Sequence, residues 1–192
     1  MPTANPHALT FLQTRRSHPL KTLIAPGPDA AALAPLLAAA LRVPDHGKLE
    51  PWRLIALQRP ALTRLADLAE RRAAALGLDA EQAAKGRSQF DQSPCAIAVI
   101  CAPKASPKVP QIEQQLSSAA VCLSLLNAAL AAGWGAAWLT GWPAYDREFL
   151  ATGLGLAPHE SLTGFIHVGT ATLQPSDRPR PDAAGLVTWA AT

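Results

Sequence analysis

The sequence is poor in charge, and what charge it has is nearly balanced. Charged residues make up 16% of the 192 residues, and 17 basic residues stand against 14 acidic ones. It has no extended lysine and arginine run and no zinc-finger, basic-zipper or aromatic RNA-binding motif, so we predict no nucleic-acid partner. The hydrophobic fraction of 49% argues against disorder. The length predicts a single domain over residues 1–192.

Cysteine is scarce, and no metal-ligand spacing is present. Cys95, Cys101 and Cys122 lie in apolar stretches and form no CxxC pair. An odd number of apolar-flanked thiols favours a reducing compartment, and the first residues lack the pattern of a secretory signal. We therefore expect a cytoplasmic protein. The five histidines show no paired i, i+4 spacing, so we predict no metal site.

Two familiar catalytic signatures are also missing. There is no G-x-S-x-G nucleophile elbow. The glycine motifs fall short of a dinucleotide fingerprint, since "GWGAAW" has Trp138 where a third Gly or Ala is required and "GLGLAP" ends in proline. The sequence supports neither a serine hydrolase nor a Rossmann fold, and it identifies no catalytic side chain.

One long stretch without charge, residues 114–145, could in principle cross a membrane, which takes about 20 apolar residues. Polar residues dilute its first half, and three glycines and a proline interrupt its second half. We favour a helix buried on all sides within a soluble core or a dimer, and we predict no membrane span.

Helix and strand signals alternate along the chain. We expect an N-terminal helix opened by Asn5 and Pro6, and a second one capped by Asp29, with a kink or a later start at Pro35. "LTRLADLAERRAAAL" has the spacing of an amphipathic helix. Short apolar runs predict strands at "WRLIAL", "CAIAVICA", "AAWLTG" and "GFIHVGTA", with a fifth over 186–189. This order predicts an α/β or α+β domain with helices covering a mixed sheet.

The segment "TRRSHP" has the chemistry of an anion site. Arg15 and Arg16 offer bidentate donors and Ser17 a hydroxyl, all at the end of a predicted helix. A solvated helix terminus, where arginine is favoured by the helix dipole, is the alternative interpretation.

Four motifs, in this order, carry a family resemblance: "RRS", "RVPDHGKLEPWRLIAL", "GWGAAWLTG" and "GLGL" followed by "ESLTGFIHVGTA". Over nearly the whole chain the sequence resembles the FMN-dependent nitroreductase family, and most closely its short NAD(P)H nitroreductase branch. The resemblance implies a nitroreductase-like α+β fold, a mixed sheet flanked by helices, and an intertwined homodimer built around a long buried central helix.

The resemblance also implies a cofactor, a reaction and a site. The cofactor is FMN, and the reaction is ping-pong hydride transfer from NAD(P)H through the flavin to a nitroaromatic, a quinone or a similar small acceptor. The FMN sites would lie at the subunit interface, and no catalytic side chain is implied. The residues carried over as cofactor contacts are Arg15, Arg16, Ser17, Arg42, His46, Trp138, Leu139, Thr140 and Arg180.

Within this set the roles differ. Arg15, Arg16 and Ser17 would contact the phosphate and ribityl chain, while Arg42 and His46 would reach the FMN of the other subunit. Trp138, Leu139 and Thr140 would lie along the flavin ring.

Several alternatives stay open at this stage. His46 could instead be a structural residue tied to Asp45, and Arg180, in "DRPRP", could lie in a surface loop. Trp52 is expected to anchor its loop in the core. Glu50 and Leu139 depart from the residues usual in this branch. The alternative function is an FMN-binding protein without efficient turnover, a sensor or a flavin store.

Overall fold

The computed structural model describes residues 3–190, which form six α-helices and five β-strands. The helices are α1 (Pro6–Thr14), α2 (Ala30–Ala40), α3 (Arg59–Ala75), α4 (Ala80–Asp91), α5 (Gln111–Ala131) and α6 (Arg147–Leu154). The strands are β1 (Leu23–Ile24), β2 (Trp52–Leu57), β3 (Cys95–Cys101), β4 (Gly135–Leu139) and β5 (Ser161–Ala171). The α+β class is confirmed.

The first two helices begin at the residues that the sequence indicates. The Asn5 side chain accepts a hydrogen bond of 3.0 Å from the backbone N–H of Ala8, and Asp29 accepts one of 2.8 Å from Ala32. These caps satisfy backbone donors that a helix leaves free at its start. Because Asp29 fixes the first turn of α2 ahead of Pro35, the later start considered for this helix is wrong.

The sheet is organised around β5. It pairs with β1, β3 and β4, and β3 pairs in turn with β2. Each of these pairings is antiparallel, so the expected mixed sheet is wrong for the residues that the structure describes. The reason lies between β2 and β3, where α3 and α4 run out and back as a packed pair. The chain therefore enters β3 beside the end of β2, with Ala96 opposite Leu57.

Four of the five predicted strands are confirmed, and the fifth is wrong. Residues 186–189 form no strand, and Leu186 and Trp189 are 74% and 87% exposed there. The remaining strand is β1, only two residues long, which pairs with the end of β5. Apolar content favoured a strand over residues 186–189, but within one chain these residues do not contact the sheet. Apolar content does not reveal which backbone groups will pair.

Two hydrophobic cores lie against the sheet, each containing alternate residues of β3 and β5. The first also takes residues of α3, α4 and α6, and it contains Phe90 and Phe165 in an edge-to-face pair 5.3 Å apart. The second also takes residues of α2 and α5, including Leu33 and Val121. Alternation along a strand accounts for the division, because successive side chains point to opposite faces.

The helix α5 packs on the sheet with one face only. By length and composition it could span a membrane, but it contacts β3, β4, β5 and α2 as a core helix does. Its other face leaves Ile112, Leu116 and Leu123 exposed, by 58%, 61% and 47%. The expectation of a helix buried on all sides is therefore wrong within a single chain, and an apolar stripe stays uncovered.

The innermost polar group of the sheet is the imidazole of His167 on β5. The Ser93 hydroxyl donates to the carbonyl of Cys95 at 2.8 Å, so it accepts the bond of 2.9 Å from Nδ1 of His167. Nε2 is buried without a partner among the described residues. Burial lowers the pKa of His167 to about 3, because the charged form would lose its solvation.

This burial predicts a pH-dependent stability. Between about pH 6.5 and pH 3 the unfolded chain binds a proton at His167 that the folded chain does not, so the free energy of unfolding falls as the pH is lowered through this window. The contribution approaches about 1.4 kcal/mol per pH unit. Urea titrations of the wild type and His167→Gln between pH 7.5 and 4.5 should show a shallower slope for the variant, and equal slopes would contradict the prediction.

Candidate functional site

The end of α1 brings a guanidinium group into the protein. Arg15 follows the last residue of α1, and its Nη2 donates to the Ser17 hydroxyl at 3.0 Å. The Nε of Arg15 is buried and has no hydrogen-bond partner among residues 3–190. A fully solvated helix terminus would leave this group in water, so its burial favours the anion-site interpretation.

The guanidinium groups of Arg16 and Arg180 lie near that of Arg15. Burial lowers the pKa of Arg15, and the positive charges of Arg180 and Arg16 lower it further. Like charges at close range disfavour the protonated state of each other, although arginine still keeps its proton at any ordinary pH. The three arginines and Ser17, called here the arginine cluster, form a positive site that an anion would relieve.

A loop near the C-terminus closes over the arginine cluster. Arg16 donates from Nε to the carbonyl of Ser176 at 3.2 Å. The Asp177 carboxylate lies 3.0 Å from Nη2 of Arg180 and 3.9 Å from Nε of Arg16. One exposed carboxylate cannot balance three guanidinium groups, so a net positive charge remains. Arg180 is thus part of the cluster rather than an isolated surface residue.

Two adjoining hollows, called here the first and second part of the cleft, lie beside the arginine cluster. The first part, about 460 Å³, is lined by Arg16, Ser17 and the residues of β4 from Ala137 to Leu139. The second part, about 410 Å³, is lined by residues 138–143 and by Gln82, Lys85, Gly86 and Gln89 of α4. Trp138 and Leu139 line both parts, so the two adjoin along β4 and are described here together as one cleft with a basic end.

Two tryptophan side chains are seated on glycines at the second part of the cleft. The ring of Trp138 lies against Gly164 of β5, and the ring of Trp142 lies against Gly86 of α4 so closely that a Cβ on either glycine would overlap it. Trp142 also donates from Nε1 to the carbonyl of Gln82 at 2.9 Å. These contacts fix the apolar walls of the cleft, which suit a flat ring.

Arg42 and His46 lie elsewhere on the chain. His46 makes a hydrogen bond of 2.7 Å from Nδ1 to the carboxylate of Glu113, at the start of α5, and both side chains are exposed. The pairing of His46 with Asp45 considered from the sequence is wrong, because the Asp45 carboxylate accepts instead from the backbone N–H groups of Leu49 and Glu50. Neither His46 nor Arg42 lines the cleft within one chain.

The loop that carries His46 is held by Trp52, as expected. Trp52 donates from Nε1 to the Ser117 hydroxyl at 3.1 Å, and that hydroxyl donates to the carbonyl of Pro44 at 2.7 Å. The loop contains three residues with positive φ: Gly47, Lys48 and Glu50. Non-glycine residues rarely adopt this conformation, so the anchors at both ends of the loop keep an otherwise unfavourable backbone in place.

The sequence missed the α4 side of the cleft. Gln82, Lys85, Gly86 and Gln89 share one helix face there, and Trp142 lies opposite. The Asp79 carboxylate accepts a hydrogen bond of 2.7 Å from the backbone N–H of Gln82 and so caps the start of α4. This capping aspartate is a helix signal that the sequence contains. Nothing in the sequence alone shows that α4 faces β4. Among residues 3–190 no group of three or more His, Cys, Asp or Glu side chains is placed to hold a metal ion.

The chain thus combines an antiparallel sheet flanked by helices with a basic cluster beside an apolar cleft. Residues 12–170 match the Nitroreductase family, and the chain belongs to this family. The resemblance noted from the motifs is confirmed, and the family assigns the chain to the oxidoreductases.

Individual relatives agree with this assignment. The chain is 33% identical over 167 residues to the "Putative NAD(P)H nitroreductase" of Haemophilus influenzae, with 85% of this chain and 88% of that protein covered. It is 29% identical over 183 residues to the "Putative NAD(P)H nitroreductase YdjA" of Escherichia coli K12, covering 95% and 98%. Among solved structures, a putative nitroreductase of Desulfovibrio desulfuricans in complex with FMN superposes with a TM-score of 0.74 at 21% identity, covering 98% and 99%.

The arginine cluster makes a testable prediction about anions. Sulfate should raise the melting temperature of the wild type more than sodium chloride does at equal ionic strength. The reason is that sulfate binds the arginine cluster, which exists only in the folded state. At about 100 times its Kd the gain in unfolding free energy is about 2.7 kcal/mol. Arg15→Gln should lose most of this gain in a thermal melt, whereas Arg71→Gln, at an exposed position of α3, should keep it. Equal stabilisation of all three proteins would contradict the assignment.

Proposed function

We propose that the protein is an FMN-dependent NAD(P)H oxidoreductase that reduces a small acceptor such as a nitroaromatic or a quinone. The observation that carries the proposal is the basic end of the cleft, where Arg16 and Ser17 form the lining and Arg15 donates to Ser17, in contrast to its apolar far end. FMN has the same layout, with a phosphate at one end and a flat ring at the other. The FMN complex of the Desulfovibrio protein and the names of the two relatives support this choice.

The residues fit the phosphate of FMN. Arg15 would turn its free Nε toward the phosphate, and Arg16 and Arg180 would complete a set of charge-assisted donors. Ser17 is already oriented by Arg15 and would contribute its hydroxyl at the phosphate or the ribityl chain. A phosphate carries about two negative charges, which offsets the repulsion among the three guanidinium groups.

The ring would occupy the second part of the cleft. Trp138 and Leu139 line both parts and would lie along the ring with Thr140. Bound FMN supplies the hydride chemistry, in which NAD(P)H is oxidised and the acceptor is then reduced in a ping-pong sequence. The chain needs no catalytic side chain for this transfer. Its residues bind the cofactor, orient the ring and exclude water with apolar walls.

The proposal predicts a coloured protein. Purified wild type should show a flavin absorption spectrum, release FMN on heating and lose its visible absorption when NADPH is added without oxygen. Arg15→Gln should bind FMN about 10- to 100-fold more weakly, because a charge-assisted bond is lost, while its affinity for riboflavin, which lacks the phosphate, should change little.

Two results would change the conclusion. A flavin spectrum that does not bleach with NADPH or NADH would favour the flavin store or sensor over the oxidoreductase. A colourless protein that also refuses added FMN would remove the cofactor from the proposal.

We also propose that the active form is a homodimer with the FMN sites at the subunit interface. His46 lines a hollow of about 300 Å³ with Glu113 and Leu116 of α5, on the side that carries the apolar stripe Ile112, Leu116 and Leu123. Burying this stripe against a second copy would bring Arg42 and His46 of one chain toward the cleft of the other. The exposed Leu186 and Trp189 in the tail favour an intertwined contact.

The dimer proposal is tested on the apolar stripe. Leu116→Glu should shift the protein from dimer to monomer in analytical ultracentrifugation and weaken FMN binding at the same time, because it buries a charge at the interface. Leu76→Glu, at a similarly exposed leucine after α3, should do neither. A Leu116→Glu protein that stays dimeric and yellow would overturn the proposed interface.

We place the protein in the cytoplasm. The three cysteines are free and buried, and burial raises the pKa of Cys95 to about 11 and that of Cys122 to about 12. Such thiols are unreactive, and nothing in their positions calls for an oxidising compartment.

A further inference from the structure

The cleft is lined by a carboxamide that has no hydrogen-bond partner among the described residues of the protein. Gln89 of α4 is only 6% exposed and lines the second part of the cleft. Within residues 3–190 its side-chain amide forms no hydrogen bond to another protein group, and its polar atoms are not among the fully buried unpaired ones, so the amide opens onto the cleft. Without a ligand, water in the cleft satisfies it. A ligand that fills the cleft displaces this water and must replace its hydrogen bonds.

The position of this amide is well defined. A Cβ atom added to Gly141 would lie 3.4 Å from Nε2 and 3.8 Å from Oε1 of Gln89. Gly141 has a φ of +68° and follows the end of β4 by two residues. The carboxamide thus lies at the end of the cleft where β4 stops, whereas Arg16 and Ser17 line its other part.

The other groups around Gln89 narrow the choice of ligand. Trp142, Leu139 and Pro143 are apolar and offer contact to the faces of a flat ring. Gln82 and Lys85, the other polar side chains of α4 in this lining, are exposed, and Lys85 pairs with Glu81. Gln89 is thus the buried polar group on the α4 side of this part of the cleft. Its amide offers a donor and an acceptor side by side.

We infer that Gln89 hydrogen-bonds the pyrimidine edge of the flavin ring and so sets how the ring lies in the cleft. That edge alternates carbonyl oxygens with an N–H, which complements a carboxamide. The nicotinamide and the acceptor must enter and leave from the open side, so the resident ring is the ligand that a buried residue meets. This assignment rests on the proposed function, since it requires FMN to bind.

The test compares Gln89→Met with Gln92→Met. Both substitutions replace a carboxamide by an apolar chain of similar length, and Gln92 is an exposed residue at the end of α4 that lies outside the lining of the cleft. Gln89→Met should weaken FMN binding about three- to tenfold in a fluorescence titration, because one neutral hydrogen bond is lost. It should also raise a carbonyl stretching frequency of the bound flavin in the infrared spectrum. Gln92→Met should do neither.

The cofactor-free protein supplies a second readout. If Gln89 has no protein partner, Gln89→Met should leave the melting temperature of the cofactor-free protein unchanged or raise it, whereas a structural amide would lower it. Gln89→Glu keeps the length of the side chain and should lower the midpoint potential of bound FMN, because its charge opposes that of the reduced ring. It also serves as the second variant if Gln89→Met does not fold.

The outcomes separate this inference from the proposed function. Wild type that binds no FMN would end the proposed function. Wild type that binds FMN, with unchanged affinity and carbonyl bands in Gln89→Met, would overturn only the assignment of Gln89. An effect of Gln89→Met confined to the KM of the acceptor would also overturn this assignment. It would indicate that Gln89 contacts the acceptor instead of the flavin ring.

Discussion

The pairing of β5 with its neighbours positions every part of the candidate site. On one edge it carries β4, which lines the cleft, and its Gly164 leaves the space that Trp138 fills. At its end it pairs with β1, and Thr172 then bonds to the carbonyl of Thr22 at 2.9 Å. This pairing directs the following loop over the arginine cluster. An error in the register of β5 would move the wall and the loop together, since a shift of one residue reverses the faces of a strand.

The site combines two features that a ligand would complete. Three guanidinium groups lie near one another with one carboxylate nearby, and a carboxamide without a protein partner opens onto the far part of the same cleft. Folding alone gains nothing from either arrangement. Both become favourable if a ligand with an anion at one end and hydrogen-bonding groups on a flat ring at the other fills the cleft. The groups that the protein itself leaves unpaired are thus concentrated where a cofactor would bind.

A single chain also leaves part of its apolar surface uncovered. One face of α5 packs on the sheet, while the opposite face exposes Leu116 and its neighbours in the stripe, and the tail exposes Trp189. His46 lies beside this stripe, and neither His46 nor Arg42 lines the cleft, although the family resemblance connects both with the cofactor. A second copy of the chain would account for the exposed leucines and for these two residues at once.

Local chemistry in the sequence determined the starts of α1 and α2, the four longer strands and the arginine pair at the end of α1. Caps, apolar runs and adjacent charges act over a few residues, so they can be read directly. Tertiary structure alone decided the antiparallel sheet, the strand β1 in place of residues 186–189, the approach of Arg180 to the other two arginines and the place of Gln89 in the cleft. These depend on the out-and-back path of α3 and α4 and on contacts between residues far apart in the chain, for which no local signal exists.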